Sequence, residues 1–486
     1  MNSWEALSEI RRRVGEEEGV LRSPAALRVA LCHPASYAVA MSSLGFQAIY
    51  REIHLHPGAA AERAFLPDRP AEYRKNRLPV FTYEGERPLS EYAVVAFSIA
   101  WELEITGLFE MLDLCGIPLL RGERGARHPL IVAGGPLTRS NPAILAPFAD
   151  LIVLGEGEET VHDLLDAAAV MNREEMLGHL SGRPGFHVPG ISSGFGPPGR
   201  VDDARLPASS QILTPNAVLR SMFLIEPERG CSRTCRYCVM RCGAGGGMRV
   251  VSADRVWAKI PEAARRVGLV GAAVTDHPEI RSLIRRIVAS GREVGISSLR
   301  ADRLDPELVG LLARGGYRTL TTAADGASQR MRDLAGRNLD EGHLLRAAEL
   351  ARGAGIERLR LYMMIGFPGE TDDDIGEMIR FCGELSRVLP LSLSVSPFVA
   401  KKHTPLDGAP FEDLRLLDRR LAAIRAGLKG KADVRPGSTR WAWVEYALSQ
   451  GTEEAGLAAL DAWRGGGGIG AWRKSFAARG CTLLRS

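Results

Sequence analysis

Short apolar segments alternate with amphipathic ones along the first 180 residues. A strand-like run at 28–33 (RVALCH) precedes a turn and a periodic segment at 41–50, and further apolar runs lie at 91–100, 129–135 and 149–158. Apolar strands separated by helical segments predict parallel βαβ units. We therefore predict a doubly wound, Rossmann-like α/β domain over residues 1–180, whose ligands bind beyond the carboxyl ends of the strands.

A second series of apolar segments follows a stretch rich in Gly, Pro and Ser. That stretch, 181–215, contains SGRPGFHVPGISSGFGPPGR and predicts a linker. Six apolar runs then recur with helical patterns between them, at 222–226, 269–274, 293–299, 318–324, 360–367 and 391–398. Six successive β/α units predict a complete or partial barrel over residues 216–410. Helical patterns at 414–428 and 441–448 predict a small, mostly helical C-terminal region over 411–486.

Composition places the chain among ordinary globular proteins. Of its 486 residues, 45% are hydrophobic and 25% are charged, and the formal net charge is only +4. Such a small charge does not indicate a nucleic-acid partner. The N-terminal segment MNSWEALSEIRRRVGEEEGV has no apolar core of a signal peptide, and no stretch approaches the roughly 18 apolar residues of a membrane span. We predict a cytoplasmic protein without a membrane partner.

Half of the cysteines are concentrated in one short segment. Cys231, Cys235, Cys238 and Cys242 are four of the eight, and in a reducing compartment such a cluster indicates a metal site. The spacing C-x3-C-x2-C, directly after the first barrel strand, supplies three thiolates, one fewer than a closed zinc or iron–sulfur site. One iron would stay open to a cofactor or substrate. A zinc knuckle, a redox dithiol, or a cluster closed by Cys242 are the alternatives.

Three-cysteine ligation after the first strand of a barrel of about six units resembles the radical S-adenosylmethionine (SAM) superfamily. The resemblance implies a [4Fe–4S] cluster on Cys231, Cys235 and Cys238, with Cys242 as a bystander. It also implies SAM as a cofactor and an external electron donor of the flavodoxin or ferredoxin type. Tyr237 fits the aromatic residue that packs by the SAM adenine in that family.

Two strand ends supply candidate partners for the polar groups of SAM. After the second strand these enzymes usually carry a Gly-Gly-Glu-like segment, whereas this chain has VTDH, so Asp276 is the candidate for the SAM ammonium. The stretch SSLRAD places Ser298 and Arg300 at the third strand end, where the arginine would pair with the SAM carboxylate. The alternatives are a solvated strand-end acid and a surface salt bridge.

The fourth and fifth strand ends extend the resemblance. Asp325, in TTAADGAS, stands where related proteins commonly have an Ala-Pro-Glu segment. Gly366, Phe367 and Pro368, in GFPGET, match a turn frequent in the superfamily, and glycines there permit close backbone approach to the cofactor. By itself the same turn is a Pro-Gly turn before a helix capped by Thr371.

The order of βαβ domain, linker and barrel resembles the cobalamin-binding radical SAM group and its uncharacterised relatives, through segments such as VAGGPLTRSNP and LGEGEE. Ser98, Gly134 and Gly135 would form a groove for the nucleotide tail. The loop CHPASYAVAM lacks the Asp-x-His-x-x-Gly motif, so His33 is not expected to bind cobalt. The domain is predicted either to bind cobalamin without a protein ligand or to be a degenerate fold that shapes a substrate entrance.

The predicted function is that of a radical SAM enzyme that cleaves SAM reductively and acts on a substrate through a 5′-deoxyadenosyl radical. The alternatives are a cobalamin-dependent radical SAM methyltransferase and a non-catalytic iron–sulfur or zinc module. RNA modification is disfavoured, because no RNA-binding module is recognisable. Lys401, Lys402 and His403 are predicted either to meet an anionic substrate or to form a solvated loop. No side chain is singled out as catalytic.

Overall fold

The computed structural model describes residues 2–242 and 247–481, without the side chains of Arg241 and Cys242. The described chain divides into two compact units. Unit 1 contains the residues up to Met222 and those from Gly451 onward, and unit 2 contains Phe223–Gln450. Among the described helices, none combines the length and the apolar character that crossing a membrane requires.

Unit 1 is built on one six-stranded sheet in the order β2-β1-β3-β4-β5-β6. The strands are β1 Leu27–His33, β2 Ala59–Phe65, β3 Val94–Ser98, β4 Leu130–Gly134, β5 Leu151–Val153 and β6 Phe186–His187. All neighbouring pairs are parallel except β5 and β6. The strand order changes direction between β1 and β3, so the predicted doubly wound α/β fold is confirmed.

The strand β2 was not predicted, because its sequence AAAERAF carries two charges. Both are buried and paired within unit 1. Arg63 forms ion pairs with Glu17 and Glu84, and Glu62 pairs with Arg28 and accepts a hydrogen bond from Thr82. Buried charges occur in proteins mainly when they are paired in this way, and a pattern of apolar residues alone does not reveal them.

Helices cover the sheet of unit 1, and some of them begin at side-chain caps. They are α1 Ser3–Gly15, α2 Tyr37–Ala40, α3 Leu44–Leu55, α4 Pro70–Lys75, α5 Ile105–Leu114, α6 Gly157–Val170 and α7 Arg173–Leu180. The Asn2 side chain caps α1 and the Asn172 side chain caps α7, each in a capping box with a glutamate three residues on. Buried residues of α3, α5 and α6 form the core with the strands.

The segment 181–215, predicted as a linker, is hydrogen-bonded within unit 1. The backbone N–H of Val201 donates to Glu156, and the N–H groups of Gln211 and Ile212 donate to the Gln47 side chain. Side chains elsewhere in unit 1 therefore satisfy backbone groups that this irregular segment cannot pair internally. The predicted domain boundaries at residues 180, 215 and 410 stay predictions.

Unit 2 contains two parallel sheets and a two-stranded antiparallel hairpin. The sheets are ordered β11-β10-β7 and β12-β13-β14-β15, and the hairpin pairs β8 with β9. The strands are β7 Met222–Ile225, β8 Glu228–Cys231, β9 Gly247–Val250, β10 Arg266–Leu269, β11 Glu293–Ile296, β12 Thr319–Asp325, β13 Arg358–Ile365, β14 Leu391–Pro397 and β15 Ala432–Pro436. This succession of parallel strands confirms the predicted partial barrel.

Two details of unit 2 differ from the sequence-based prediction. The second predicted strand, 269–274, is observed earlier, as β10, and Gly271–Ala273 follow it as irregular chain. A seventh parallel strand, β15, pairs with β14. Its sequence ADVRP alternates charged and apolar residues and ends in proline, which is compatible with an edge strand and gives only a weak apolar signal.

The helices of unit 2 pack on its sheets through apolar faces. They are α8 Ala253–Ala258, α9 Ile280–Ala289, α10 Pro306–Arg314, α11 Gln329–Leu334, α12 Glu341–Gly353, α13 Asp372–Val388, α14 Leu414–Gly427 and α15 Thr439–Gln450. In α9 the buried residues Ile280, Leu283, Ile284 and Ile287 recur at helical spacing. The predicted helices at 414–428 and 441–448 correspond to α14 and α15.

The two last helices, α16 Glu453–Arg464 and α17 Ile469–Ala478, belong to unit 1. Gly456 of α16 lies against the backbone carbonyl of Ile144, where a Cβ atom would come within 2.2 Å of the oxygen. The described residues 411–481 are therefore mostly helical, with β15 as the one strand among them, and they are divided between the two units.

Candidate functional site

The three cysteines lie together on one loop of unit 2. Cys231 is the last residue of β8, and Cys235 and Cys238 follow it, the N–H of Cys238 donating to the Cys235 carbonyl. Gly230 has φ +92°, and a Cβ atom there would lie 2.4 Å from the carbonyl oxygen of Gly247 on β9. Only glycine fits this close hairpin, which fixes the direction in which the chain enters the cysteine loop.

All three thiols line one cavity of about 290 Å³. Its walls come from the carboxyl-terminal parts of neighbouring parallel strands and the segments after them. They are formed by Arg233, Tyr237 and Met240 of the cysteine loop, Gly271–Ala273 after β10, Ser297–Arg300 after β11, Thr321–Ala323 of β12, Arg337, and Tyr362 of β13. Parallel α/β folds bind ligands at this edge, so the cavity stands where a cofactor is expected.

The thiols suit an iron–sulfur cluster. Burial raises the pKa of Cys231 and of Cys238, and negative charge on the neighbouring thiols raises it further. Such thiols become thiolates when cationic metal centres offset the charge. In the described part of the chain no three His, Cys, Asp or Glu side chains converge as the ligands of one metal ion do. Each thiolate of a cluster binds a different iron, so cluster ligation does not require that convergence. The side chain of Cys242 lies outside the described residues.

Tyr237 and Asp325, both predicted from the sequence, are brought together. The Tyr237 hydroxyl donates to Asp325 at 2.5 Å, and the Nε atom of Arg337 lies 2.9 Å from the same carboxylate. Asp325 has φ +66° at a β-bulge, which turns its side chain away from the regular strand direction. Arg337 also approaches the Cys235 sulfur at 3.9 Å. Arg337 was not predicted, because it follows the helix α11 and not a strand end.

Asp276, the candidate for the SAM ammonium, is held by two arginines. Arg233 binds both carboxylate oxygens through two guanidinium nitrogens, and the Nε atom of Arg303 donates to Oδ1 at 3.0 Å. These ion pairs keep the pKa of Asp276 below its ordinary value against the effect of burial. Asp276 is absent from the cavity lining among the described residues. The adjoining wall consists of Gly271–Ala273 instead.

Glu228 lies directly behind that wall and was missed by the sequence analysis. Its Oε1 atom accepts the N–H of Ala273 at 2.7 Å, and a Cβ atom on Gly271 would lie 2.1 Å from it. The side chain is buried, and its Oε2 atom has no hydrogen-bond partner among the described residues. Burial raises the pKa of Glu228 to about 7. Its place three residues before the first cysteine was visible in the sequence, but its burial was not.

Ser298 and Arg300, the two candidates at the third predicted strand end, both line the cavity. The Ser298 hydroxyl accepts the N–H of Val274 and donates to the carbonyl of Gly271, each at 3.1 Å, so it braces the same wall as Glu228. Arg300 is buried, pairs with Asp302 at 2.9 Å, and donates to the Arg337 carbonyl at 3.4 Å. Its guanidinium is thus fixed beside the cavity.

The GFPGET turn lies outside the cavity lining. Gly366 has φ +84°, and a Cβ atom on it would come within 2.8 Å of Leu417 on α14. Phe367 is buried, stacks on Phe398 at 4.6 Å and meets the Tyr237 ring edge-on at 6.1 Å. Pro368 likewise does not reach the cavity among the described residues. Gly366 is therefore explained by packing against α14, and Phe367 acts on the site through Tyr237.

Unit 1 shows a closely packed strand edge at the predicted cobalamin groove. Ser98 and Gly134 are paired ends of β3 and β4. Gly135 has φ +100°, and a Cβ atom there would lie 2.6 Å from the Ile99 carbonyl oxygen. His33 is buried with its ring edge on Phe46, and burial lowers its pKa to about 4. It is therefore neutral and buried, and the expectation that it does not bind cobalt stays a prediction.

Lys401, Lys402 and His403 follow β14. Lys401 forms an ion pair with Glu445 at 2.8 Å, and the N–H of His403 donates to Asp407. Burial lowers the pKa of Lys402. These three residues are not part of the described cavity lining.

Two proteins of known sequence resemble the chain. An uncharacterized protein of Methanocaldococcus jannaschii is 26% identical over 364 residues, which are 71% of this chain and 75% of that protein. The 2-(S-pantetheinyl)-carbapenam-3-carboxylate methyltransferase of Streptantibioticus cattleyicolor is 29% identical over 157 residues, 28% of this chain and 21% of that protein.

A solved structure and two family descriptions complete the comparison. The cobalamin-dependent SAM radical enzyme OxsB, with aqua-cobalamin bound, shares the fold with a TM-score of 0.55 at 15% identity, over 84% of this chain and 58% of the OxsB chain. Residues 45–189 match the family described as radical SAM proteins, N-terminal, and residues 225–382 match the radical SAM superfamily. Members of this superfamily use a [4Fe–4S] cluster and SAM. The chain belongs to the radical SAM superfamily.

Proposed function

We propose that this enzyme holds a [4Fe–4S] cluster on Cys231, Cys235 and Cys238 and cleaves SAM reductively. A cluster held by these thiolates would supply the electron for reductive cleavage of the SAM carbon–sulfur bond to methionine and a 5′-deoxyadenosyl radical, which would take a hydrogen atom from the substrate. The electron comes from an external flavodoxin- or ferredoxin-like donor. The supporting observation is that three thiols share one cavity at the carboxyl ends of parallel strands.

The chain's own residues would bind and orient SAM in that cavity. Arg300 presents a fixed guanidinium that suits the SAM carboxylate. Glu228 and Ser298 hold Gly271–Ala273, the wall that the SAM amino acid moiety would meet, in place. Asp325 orients Tyr237 beside Cys238, where the ring would pack on the adenine. Arg337 places a positive charge beside the Cys235 sulfur.

The test is anaerobic reconstitution with iron and sulfide, followed by SAM and dithionite. We expect about four irons per chain and formation of 5′-deoxyadenosine and methionine. Cys231→Ser, Cys235→Ser and Cys238→Ser should each lose the cluster and both products. Cys481→Ser, a half-buried thiol far along the chain, is the matched control and should retain them, as should Cys242→Ser.

Other outcomes of the same experiment distinguish the remaining classes. Zinc bound in place of iron, without SAM binding, would contradict the proposal and favour a non-catalytic metal module. A cluster that requires Cys242 and yields no 5′-deoxyadenosine would contradict it as well.

The described cysteines are all free thiols, which supports a reducing compartment such as the cytoplasm.

A second candidate function is cobalamin-dependent methyl transfer. It is supported by the shared fold with the cobalamin-dependent enzyme OxsB over 84% of this chain and by the similarity to a methyltransferase. Because His33 is buried and neutral, cobalamin would bind unit 1 without a histidine ligand from that position. Visible spectra of anaerobically purified protein supplied with cobalamin, after removal of the unbound corrin, test this. A spectrum showing the cluster alone would contradict methyl transfer and leave SAM cleavage intact.

A further inference from the structure

The sheet of β12 to β15 presents two different faces. On β13, Leu359, Leu361 and Met363 are buried against the helices, while the residues between them, Arg360 and Tyr362, are not fully buried. Successive side chains of a strand point to opposite faces. Tyr362 is 43% exposed and lines the cavity of the cysteines. Arg360 therefore leaves the sheet on the cavity side.

The pairing of the strands places Arg360 directly beside the cavity. Its partner in register on β12 is Thr321, and the partner of Tyr362 is Ala323. Both partners line the cavity together with the cysteines. Adjacent strands lie about 4.8 Å apart, and residues paired in register point to the same face. Arg360 thus stands one strand away from a wall of the site.

Arg360 is a half-buried cation without an internal partner. Among the described residues no carboxylate, carbonyl or aromatic ring is bonded to its guanidinium, and no acid lies beside it in register on β12 or β14. The neighbour on β14 is Ser392, which donates to Asp433 of β15. Asp433 in turn binds Arg435 through two nitrogens at 2.7 Å. Asp433, the carboxylate two strands away in register, is therefore already paired.

Around Tyr362 this face is polar and partly accessible. Ser394, the partner of Tyr362 in register, is half-buried, and its hydroxyl has no hydrogen-bond partner among the described residues. Tyr362 offers an exposed ring and a hydroxyl next to it. A cation, an aromatic ring and a free hydroxyl in neighbouring positions can bind a small polar molecule that carries a negative group.

We infer that Arg360, Tyr362 and Ser394 form the substrate site, and that the substrate carries an anionic oxygen group, a carboxylate or a phosphate, which Arg360 binds. The inference rests on the proposed function, because that function requires a substrate next to SAM. The planar guanidinium pairs with either group through two parallel hydrogen bonds. The SAM carboxylate has its own candidate in Arg300, which lines the cavity.

The test is calorimetric titration of the reconstituted, SAM-bound protein at constant ionic strength, with inorganic phosphate in one arm and succinate in the other. We expect saturable binding of at least one of the two anions. Arg360→Gln should weaken that binding at least about tenfold, and Arg360→Lys, which keeps the charge but not the two parallel hydrogen bonds, should recover only part of it. Arg346→Gln is the matched control, since Arg346 is exposed on α12 and pairs with no described residue, and it should bind as the wild type does.

Cluster absorbance and SAM affinity are recorded for every variant, so failure of the site is distinguishable from failure of SAM cleavage. The inference is overturned if the wild type binds neither anion, if Arg360→Gln binds equally well, or if that variant loses SAM while anion binding is kept.

A measurement on the wild type does not depend on the folding of any variant. Phenylglyoxal modifies accessible arginines, and phosphate or succinate should protect the peptide of Arg360 but not that of Arg346. Equal modification of Arg360 with and without either anion would also overturn the inference.

Discussion

Arg63 of β2 in unit 1 and Arg360 of β13 in unit 2 are both strand residues, but their charges have very different surroundings. The Arg63 guanidinium is 1% exposed, lies between Glu17 at 2.7 Å and Glu84 at 2.5 Å, and packs over the Tyr50 ring. Arg360 is half-buried and has no partner in the described chain. In unit 1 the buried arginine is paired with acidic side chains of the protein itself. In unit 2 the arginine has no partner in the described chain and is available to a ligand.

The same contrast extends to the carboxyl edges of the two sheets. In unit 1 the strand ends are packed so closely that Gly135 has no room for a Cβ atom, and His33 is buried and neutral. In unit 2 the corresponding edge surrounds a cavity with three thiols, and a carboxylate oxygen of Glu228 behind its wall lacks a hydrogen-bond partner. Buried polar groups that lack a hydrogen-bond partner or a counter-ion indicate a functional site more reliably than the fold does.

The largest expected effect is on unit 1. Arg63→Met leaves the buried carboxylates of Glu17 and Glu84 without their cation, so we expect a loss of about 3 to 5 kcal/mol in the free energy of unfolding. Urea unfolding followed by circular dichroism measures it. Arg11→Met, which removes an exposed ion pair with Glu86, is the control and should lower the free energy of unfolding far less. Equal losses for the two variants would remove the contrast between the arginines.

Glu228→Gln gives an intermediate effect that depends on pH. Burial raises the pKa of Glu228 from 4.5 to about 7, so the folded state binds this proton more tightly than the unfolded state. The wild type should therefore lose stability as the pH rises from 4.5 through 7, by up to about 3 kcal/mol relative to the glutamine variant. Denaturant unfolding of cluster-free protein across this range measures the difference.

A matched control for Glu228 is the exposed Glu293 of β11, which pairs with Arg266 at the surface. Glu293→Gln should leave the pH dependence of unfolding unchanged. If the wild type and Glu228→Gln show parallel pH profiles, folding does not raise the pKa of Glu228, and the prediction is wrong.

The smallest effect is expected for Arg360→Met, the same exchange as in Arg63. Because no partner in the described chain loses an ion pair, we expect the ligand-free protein to be unchanged or more stable by no more than about 1 kcal/mol. Thermal unfolding alongside Arg346→Met measures it. A loss above about 2 kcal/mol would show that Arg360 supports the fold, and the difference between the two arginines would disappear.

The sequence predicted the fold where apolar runs were long. Five of the six predicted barrel strands and four strands of unit 1 are observed at the predicted positions, because buried parallel strands read as continuous apolar segments, and the second barrel strand lies earlier in the chain than predicted. The strands β2 and β15 were missed because charges interrupt them, and their pairing partners lie far away in sequence. Such partners become visible only when the chain is folded.

For the candidate site, the sequence predicted the residues that follow a strand end and could not predict those that support them. The cysteines, Tyr237, Ser298 and Arg300 all line the cavity. Gly366 matches a family turn, but its missing side chain is explained by Leu417, a contact that no local pattern encodes. Arg360 lies within a predicted strand, and it becomes a candidate only because no acidic side chain in the described chain pairs with it.

The return of α16 and α17 to unit 1 has a consequence for biosynthesis. The ribosome must synthesise all of unit 2 before the last part of unit 1 emerges. Until then the α/β sheet of unit 1 lacks α16, whose Gly456 packs against Ile144 in the finished fold. Domains fold as units while the chain is being made. Unit 2 can therefore complete its fold while unit 1 is still unfinished.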